Sequence, residues 1–445
     1  MRIRSKQQRK HLKTTPTEPR VFVGLFEIAG YHGRIVDYLR STGYPISFIE
    51  ISKHRFAYHA SASRSDYKFE KLILSSFGQE NSLLANLKFR VLGLHLFLWA
   101  MRKHDVFVFV AGHSFLKNNL DLLLLRLFRK RVVSFVAHGS DARPAFMDGA
   151  HWSNALVTKD PIKHIYKTFT HQKRMIARLE RFSSLIIAHS LASQLLRKPF
   201  VASQYIGLPI PVVTNNLANA SPTMKSFHQI LHAPSDRRGK GSDEIFNCVE
   251  KIRKLGFNVS FIEIVGQSNA EVLYQITKAD LVVDQMYSDV PLAGLGVEAA
   301  SLGVAVLVGG YGFDELRRII SKEYLPPMHI VHPNDFENAF LRFLSDDEFR
   351  QSVASACKSF VDTMWTIEKV SERYLSAIVG TPEQLWYTDP LKISYLEGSG
   401  LSTADRLNLW SNGINRFGIK FLKIPHRLDL LISAKAQLHK YYFDQ

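Results

Sequence analysis

The sequence predicts an α/β protein made of two Rossmann-like domains whose parallel sheets face each other across a central cleft. Three observations carry this expectation. Short apolar segments rich in Val, Ile and Phe alternate with segments of helical period, the pattern of parallel strands covered on both faces by helices. The alternation runs twice, and a turn-rich stretch, "YIGLPIPVVTNN" (Tyr205–Asn216), separates the two runs as a linker. At 445 residues the chain also exceeds one ordinary core. The expected division is a basic disordered tail over 1–19, a first domain over 20–208, a second over 209–378 and a basic C-terminal extension over 379–445. In such an arrangement ligands bind at the carboxyl ends of the strands.

Taken in order, "RVFVGLFEIAGYHGRIVDYLRSTGYPISFIEIS" opens with a strand at Val21–Leu25 and a turn holding Gly30 and Gly33. A helix at Arg34–Ser41 and a second strand at Ile46–Ile51 complete a β-α-β unit. The polar stretch from His54 to Ser82 carries no clear pattern, and Leu83–Arg102 reads as an apolar helix. "DVFVFVAG" is a buried strand, "NNLDLLLLRLFRK" a helix, and "RVVSFVAHGSDARP" a strand running into a polar loop. A long basic helix, "KDPIKHIYKTFTHQKRMIARLERF", precedes the strand "SSLIIAHS", with "LASQLLRK" as the helix after it. Beyond the linker come the strand "FHQILHAP", a helix over Ser242–Leu255, the strand "NVSFIEIVG" and the helix "NAEVLYQITKA". "DLVVDQ", a short helix ending at Gly303, "VAVLVGG", "MHIVH" and helices through Ala377 continue the alternation.

Apolar residues make up 46% of the chain and charged residues 22%, the balance of a folded globular protein. A formal net charge of +17 favours anionic partners: nucleotide phosphates, nucleic acid or an acidic membrane surface. No nucleic-acid recognition motif or aromatic platform accompanies the charge, so no nucleic-acid partner is expected. Cys248 and Cys357 are too few for a disulfide framework and lack metal-site spacing, which fits a reducing, cytoplasmic setting. The basic N-terminus "MRIRSKQQRKHLKTT" has no apolar core behind it and does not read as a signal peptide. The most apolar run, Val91–Ala100, is about half the roughly 20 residues a membrane span needs. There is no Asp-X-Asp pair, no Gly-Lys-Ser/Thr loop and no Cys/His zinc spacing, so neither a metal nor a cofactor is expected. Cations at both ends (Arg2, Arg4, Lys6, Arg9, Lys10 and Lys13; then Arg416, Lys420, Lys423, Arg427, Lys435 and Lys440) fit peripheral attachment to an anionic membrane at the cytoplasmic face.

Four places could carry chemistry. The turn "HAPSDRRGKGS" leaves a strand with Ser235, Arg237, Arg238 and Lys240 and enters a helix, either as a solvated basic turn or as a seat for a strongly anionic group. In "GLGVEAASLG" (Gly294–Gly303), Gly294 and Gly296 open a helix whose free N–H groups and partial positive charge suit a phosphate. Glu298 lies near its start, where it either balances the helix dipole or accepts hydrogen bonds from a ligand. "AHGSDARP" sets His138 at a strand's carboxyl end, facing the expected cleft, with Asp141 and Arg143 pairing around the loop. Gly30 and Gly33 form a second glycine turn near where phosphates would approach.

In that order, "ILHAPSDRRGKGS", "ADLVVDQ" and "GLGVEAASLGVAVLVGG" resemble the donor-binding half of GT-B glycosyltransferases of the family-four retaining class, the glycosyl transferases group 1. "LDLLLLRLFRKRVV", "RVVSFVAHGSDARP" and "MWTIEKVSERYLSAI" resemble that class's first half and its closing helix, so the likeness spans about Val21 to Ile378. The resemblance implies an acceptor domain followed by a nucleotide-sugar donor domain. It implies transfer of a sugar from a nucleotide-sugar, which is a substrate and not a cofactor, to a saccharide or lipid-linked acceptor in surface polysaccharide or glycolipid synthesis.

By the same likeness Lys240 stabilises the diphosphate leaving group, with Arg237 or Arg238 standing in for an arginine whose place is taken by Ser235. Glu298 corresponds to the motif's second glutamate and contacts ribose. Val290 occupies the place of the first glutamate, and Asp289 beside it is the candidate for touching the donor sugar. His138 is the candidate for the reacting centre, alongside Lys240 and Arg238. A non-catalytic relative, or a sugar-nucleotide epimerase on the same fold, is the alternative reading.

Overall fold

The computed structural model describes residues 18–50, 83–137, 139–210, 228–328 and 330–443. The tail expected over 1–19 falls almost wholly outside them, as does His138. Among the described residues the strands are β1 (Val21–Leu25), β2 (Ile46–Glu50), β3 (Val106–Val110), β4 (Arg131–Val136), β5 (Leu185–Ala188), β6 (Phe200–Ala202), β7 (His228–His232), β8 (Val259–Glu263), β9 (Leu281–Ser288), β10 (Ala305–Gly310), β11 (Ile330–Val331) and β12 (Tyr387–Thr388). The helices of the first half are α1 (Tyr31–Ser41), α2 (Leu83–Lys103), α3 (Leu120–Leu127), α4 (Gly149–Leu156) and α5 (Pro161–Phe182). The second half adds α6 (Arg237–Lys240), α7 (Ser242–Lys254), α8 (Asn269–Ile276), α9 (Gly294–Ser301), α10 (Phe313–Ile319), α11 (Phe336–Ser345), α12 (Asp347–Met364) and α13 (Ile367–Val379). Two more, α14 (Thr403–Phe417) and α15 (Leu428–Phe443), close the chain.

Two sheets, parallel except for β12, organise these elements. The first runs β12-β6-β5-β4-β3-β1-β2 and the second β11-β10-β9-β7-β8. Every residue of β1, β3, β5 and β9 is buried, as in strands covered on both faces, although β9 also carries the buried polar residues Asp284, Gln285 and Ser288. In the first sheet strand order reverses beside β1 and β3, and in the second beside β7 and β9. Such reversals open a crevice at the carboxyl ends of the strands.

The second domain does not finish where its sheet does. α13 returns to pack on α1, with Tyr374 Oη 3.2 Å from His32 Nδ1, and Arg131 Nε donates to the Ile378 carbonyl at 2.7 Å. β12 then pairs antiparallel with β6, adding residues from beyond the second domain to the first sheet. The segment before α14 bridges the two domains. Ser399 N donates to Met147 O at 3.1 Å and Gly149 N to Ser399 O at 2.8 Å, while Gly400 N donates to Tyr287 O of β9 at 2.7 Å. This strap lies so close that a Cβ on Gly149 would run into the Gly400 carbonyl, and Gly400 itself has φ +74°, a conformation that favours glycine.

The sequence "LASQLLRK" departs from expectation. It makes a 3-10 turn at Ser190–Ala192 and no α-helix, because its polar groups have other partners. Gln194 Nε2 donates to the Tyr395 carbonyl of the strap segment at 3.0 Å, and Glu180 accepts the Arg197 and Lys198 amides at 2.6 and 2.9 Å. Among the C-terminal cations expected at a membrane, Arg427 is instead 1% exposed, donating to the Pro390 and Ile393 carbonyls and to Asp429. Arg416 pairs with Asp160 at the start of α5. Lys420, Lys423, Lys435 and Lys440 stay exposed.

Candidate functional site

The carboxyl ends of the two sheets enclose a cavity of about 430 Å³. One wall comes from the turns after β7 and β9 and the start of α9, the opposite wall from the segments after β1, β4, β5 and β6, and Ser399 and Gly400 of the strap close one side.

The basic turn is built by local packing. β7 ends at His232, whose ring nitrogens bond the Val283 carbonyl at 2.7 Å and Ser242 Oγ at 2.8 Å, tying the start of α7 to β9. Between them α6 is a single turn, ended by Gly241 at φ +70°, where a Cβ would press on Met286. This geometry separates the three cations, since successive helical residues point about 100° apart. Lys240 lines the cavity, its Nζ held 3.1 Å from Asp284 Oδ1, with side-chain exposures of 18% and 1%. Arg237 turns away to Glu263 and Asp243. Arg238 is exposed and does not line the cavity. The expectation that Arg237 or Arg238 supplies the second cation is therefore corrected. Ser235 does line the cavity.

Another cation on the cavity wall is Arg34, which sequence reasoning passed over. It sits on α1 one turn after Gly30, lines the cavity, and donates to the Pro209 carbonyl at 3.4 Å. The glycine turn before it is not an open anion seat. Glu27 Oε1 accepts the Ile28 and His32 amides at 2.7 and 3.3 Å, and Oε2 accepts Gly33 N at 2.6 Å. The chain's own carboxylate thus occupies the start of α1, so Gly30 and Gly33 serve its entry and not a ligand. A glutamate three residues before the first glycine was the available signal.

The start of α9 does open into the cavity, through Ala293, Gly294, Val297 and Glu298. No side chain caps it, and its first intrahelical bond is Val297 N to Ala293 O at 2.9 Å. The amides before it are thus available to an anion. Space around Gly294 is open, whereas a Cβ on Gly296 would meet Leu292 at 2.9 Å. Gly296 serves helix packing, and only Gly294 faces the cavity. Burial pushes the Glu298 carboxyl up to about 7, opposed by the Asn269 Nδ2 hydrogen bond at 2.7 Å and by the Arg34 charge.

Arg143 was read as pairing locally, but it reaches across the cleft. It donates to Asp148 of its own domain and to Asp289 of the other, and all three are buried. Burial alone would disfavour its charge, yet the two carboxylates raise its pKa above that of a free guanidinium. Burial likewise opposes ionisation of Asp148, and Arg143 and His151 hold it below the usual carboxylate range. Asp289, the candidate for the donor sugar, accepts from Arg143 through Oδ2 and lines the cavity together with Val290. His189, at the end of β5, also lines the cavity and was not singled out from sequence. Among the described residues no group of three or more His, Cys, Asp or Glu side chains is placed to hold a metal.

Two parallel α/β domains meet at the carboxyl ends of their strands, and a C-terminal helix crosses back to the first. The fold is GT-B. No family model matches the sequence, and no curated relative matches it. Solved structures with a similar chain path include HepE of Anabaena in complex with UDP-glucose, 14% identical over 80% of this chain and 98% of that one, TM-score 0.44. Another is WaaG, a glycosyltransferase involved in lipopolysaccharide biosynthesis, 14% identical over 81% and 99%, TM-score 0.41. A third is an α-glucosyltransferase in complex with UDP and a 13-mer DNA, 12% identical over 80% and 98%, TM-score 0.47. At that identity the likeness concerns the path of the chain alone.

Two measurements follow from the buried charges. Arg143→Ala removes the guanidinium shared by buried Asp148 and Asp289, which costs about 3–5 kcal/mol; chemical denaturation should show that loss, and adding Asp289→Asn should recover part of it. An unchanged unfolding midpoint for Arg143→Ala would show that the cross-cleft pair does not hold the domains. Glu298 is raised from 4.5 to about 7 in the folded state. Across that window the folded protein binds more protons than the unfolded chain, so stability falls as pH rises. Unfolding curves for Glu298→Gln should lack this slope, and an identical pH profile would contradict the assignment.

Proposed function

We propose that this protein is a glycosyltransferase of the hexosyl type. It moves a sugar from a nucleotide-sugar donor to a saccharide or lipid-linked acceptor in surface polysaccharide or glycolipid synthesis, with retention and without a metal. The observation that carries the reading is the pairing of Lys240 with the uncapped start of α9 in one cavity between the facing sheets. Breaking the bond from sugar to diphosphate leaves negative charge on phosphate oxygens. A preorganised ammonium and free backbone amides stabilise that charge more in the transition state than in the ground state. Asp284, buried behind Lys240, fixes where the ammonium sits, and two of its three donors stay available. Arg34 brings a further cation from the other domain. Glu298, once ionised, suits ribose hydroxyls. The leaving phosphate itself acts as base toward the acceptor hydroxyl, so no carboxylate pair is required.

A second reading, a non-catalytic relative, draws on Val290, which puts an apolar side chain in the cavity where the class has a carboxylate. Calorimetry with nucleoside diphosphates separates the two. Lys240→Ala should bind them more weakly and lower transfer roughly a hundredfold or more, in line with about 3–4 kcal/mol for a lost charge contact, measured below the variant's own unfolding transition, because buried Asp284 loses its counter-charge. Heat-silent titrations with every nucleoside diphosphate would favour the non-catalytic relative, and full turnover by Lys240→Ala would remove the assigned role.

The acceptor reading includes peripheral contact with an anionic membrane. No helix among the described residues is long and apolar enough to cross one. The exposed Lys420, Lys423, Lys435 and Lys440 share the C-terminal surface with exposed Ile419, Leu428, Ile432 and Tyr442, a mixture suited to a headgroup layer. Co-sedimentation with anionic vesicles should fade as salt rises and weaken in Ile432→Asp. Protein left in the supernatant at low salt would refute it.

A further inference from the structure

β5 and β6 pair in parallel with Ala188 beside Ala202. The residues that follow, His189 and Ser203–Gln204, therefore leave the sheet side by side, and all three line the cavity. His189 is 5% exposed, and neither of its ring nitrogens has a hydrogen-bond partner in the protein. Gln204 Oε1 accepts from Ser190 Oγ at 3.2 Å, which leaves Nε2 buried and without a protein partner. His104 and His232, also buried, bond through both ring nitrogens. Buried polar groups are as a rule hydrogen-bonded, so these unpartnered nitrogens on one cavity wall call for a ligand that supplies donors and acceptors.

Their chemistry narrows the ligand. Burial pushes the His189 pKa down to about 4, with Asp289 opposing and Arg143 adding to the shift, so the ring is neutral near pH 7 and offers one donor and one acceptor. Gln204 Nε2 adds donors and no charge. A phosphate would call for cations, and those, Lys240 and Arg34, come from the β7 turn and α1. An alcohol hydroxyl both donates and accepts, as this pair does.

We infer that His189 and Gln204 form a subsite for the hydroxyl groups of an uncharged sugar ring. The inference rests on the transferase reading and adds to it the part of the cavity that takes the sugar. That ring belongs either to the donor or to the acceptor, and the two sources separate in binding experiments on the full chain. The probes are UDP and GDP, the nucleotide-hexoses UDP-glucose, UDP-galactose and GDP-mannose, and free glucose, galactose or mannose added to nucleotide-loaded protein. His189→Leu and Gln204→Leu should leave affinity for the nucleoside diphosphate unchanged and weaken the hexose-bearing probe about tenfold or more, with His189→Asn retaining part of the binding. Loss confined to nucleotide-hexoses places the donor's sugar there, and loss confined to free hexose places the acceptor's. Wild-type affinity for every hexose probe in both leucine variants would overturn the subsite while the transferase reading stands. Equal weakening of nucleotide and hexose would also overturn it, since that marks a merely structural role. Wild-type protein that binds no nucleoside diphosphate would remove the transferase reading, and the subsite with it.

Discussion

Arg143 is the charge on which the placing of the two domains depends. A guanidinium buried between domains is stable there only with carboxylates at hand, because the low-dielectric surroundings penalise an isolated charge far more than water does. Asp148 from the first domain and Asp289 from the second supply them. Its two carboxylates come from different domains, so the full ion cluster forms only when the cleft is assembled in this geometry. The strap over 398–400 acts in the same direction, giving backbone hydrogen bonds to Met147 and Gly149 on one side and Tyr287 on the other. Its approach leaves no room for side chains at Gly149 and Gly398.

With the domains so held, the cavity has two chemically different regions. One has Lys240, Arg34 and the open start of α9, all suited to negative charge. The other has His189 and Gln204, neutral, with both His189 ring nitrogens and Gln204 Nε2 unpartnered within the protein. The contrast between the two glycine-opened helices shows how narrow the physical difference is. At α1 the chain supplies its own carboxylate, Glu27, and satisfies the amides internally. At α9 no side chain does so, and the amides are left to a ligand. Glu298, pushed toward neutrality by burial, couples that end of the cavity to pH in a way that an exposed glutamate would not.

The apolar runs determined the strands: β1 falls on the expected residues, and the alternation of strand and helix alone was enough to anticipate two facing parallel sheets. Lys240, Ser235, Gly294 and Glu298 were also legible, because each follows a strand or opens a helix and so must lie at a carboxyl edge. Arg237, Arg238 and Gly33 stood in the same short segments yet face elsewhere, and Asp289 lines the cavity with one carboxylate oxygen taken by Arg143. Composition and spacing place a residue near a cleft, but the rotation of a single helical turn, or a counter-charge remote in sequence, decides where its side chain points. The turn at Ser190–Ala192 failed as a helix for the same reason, since Gln194 is held by Tyr395, some two hundred residues away. Arg34, Arg143 and His189 carry little local signal. Their roles depend on burial and on what faces them across the cleft, and both are properties of the assembled structure that no sequence window contains.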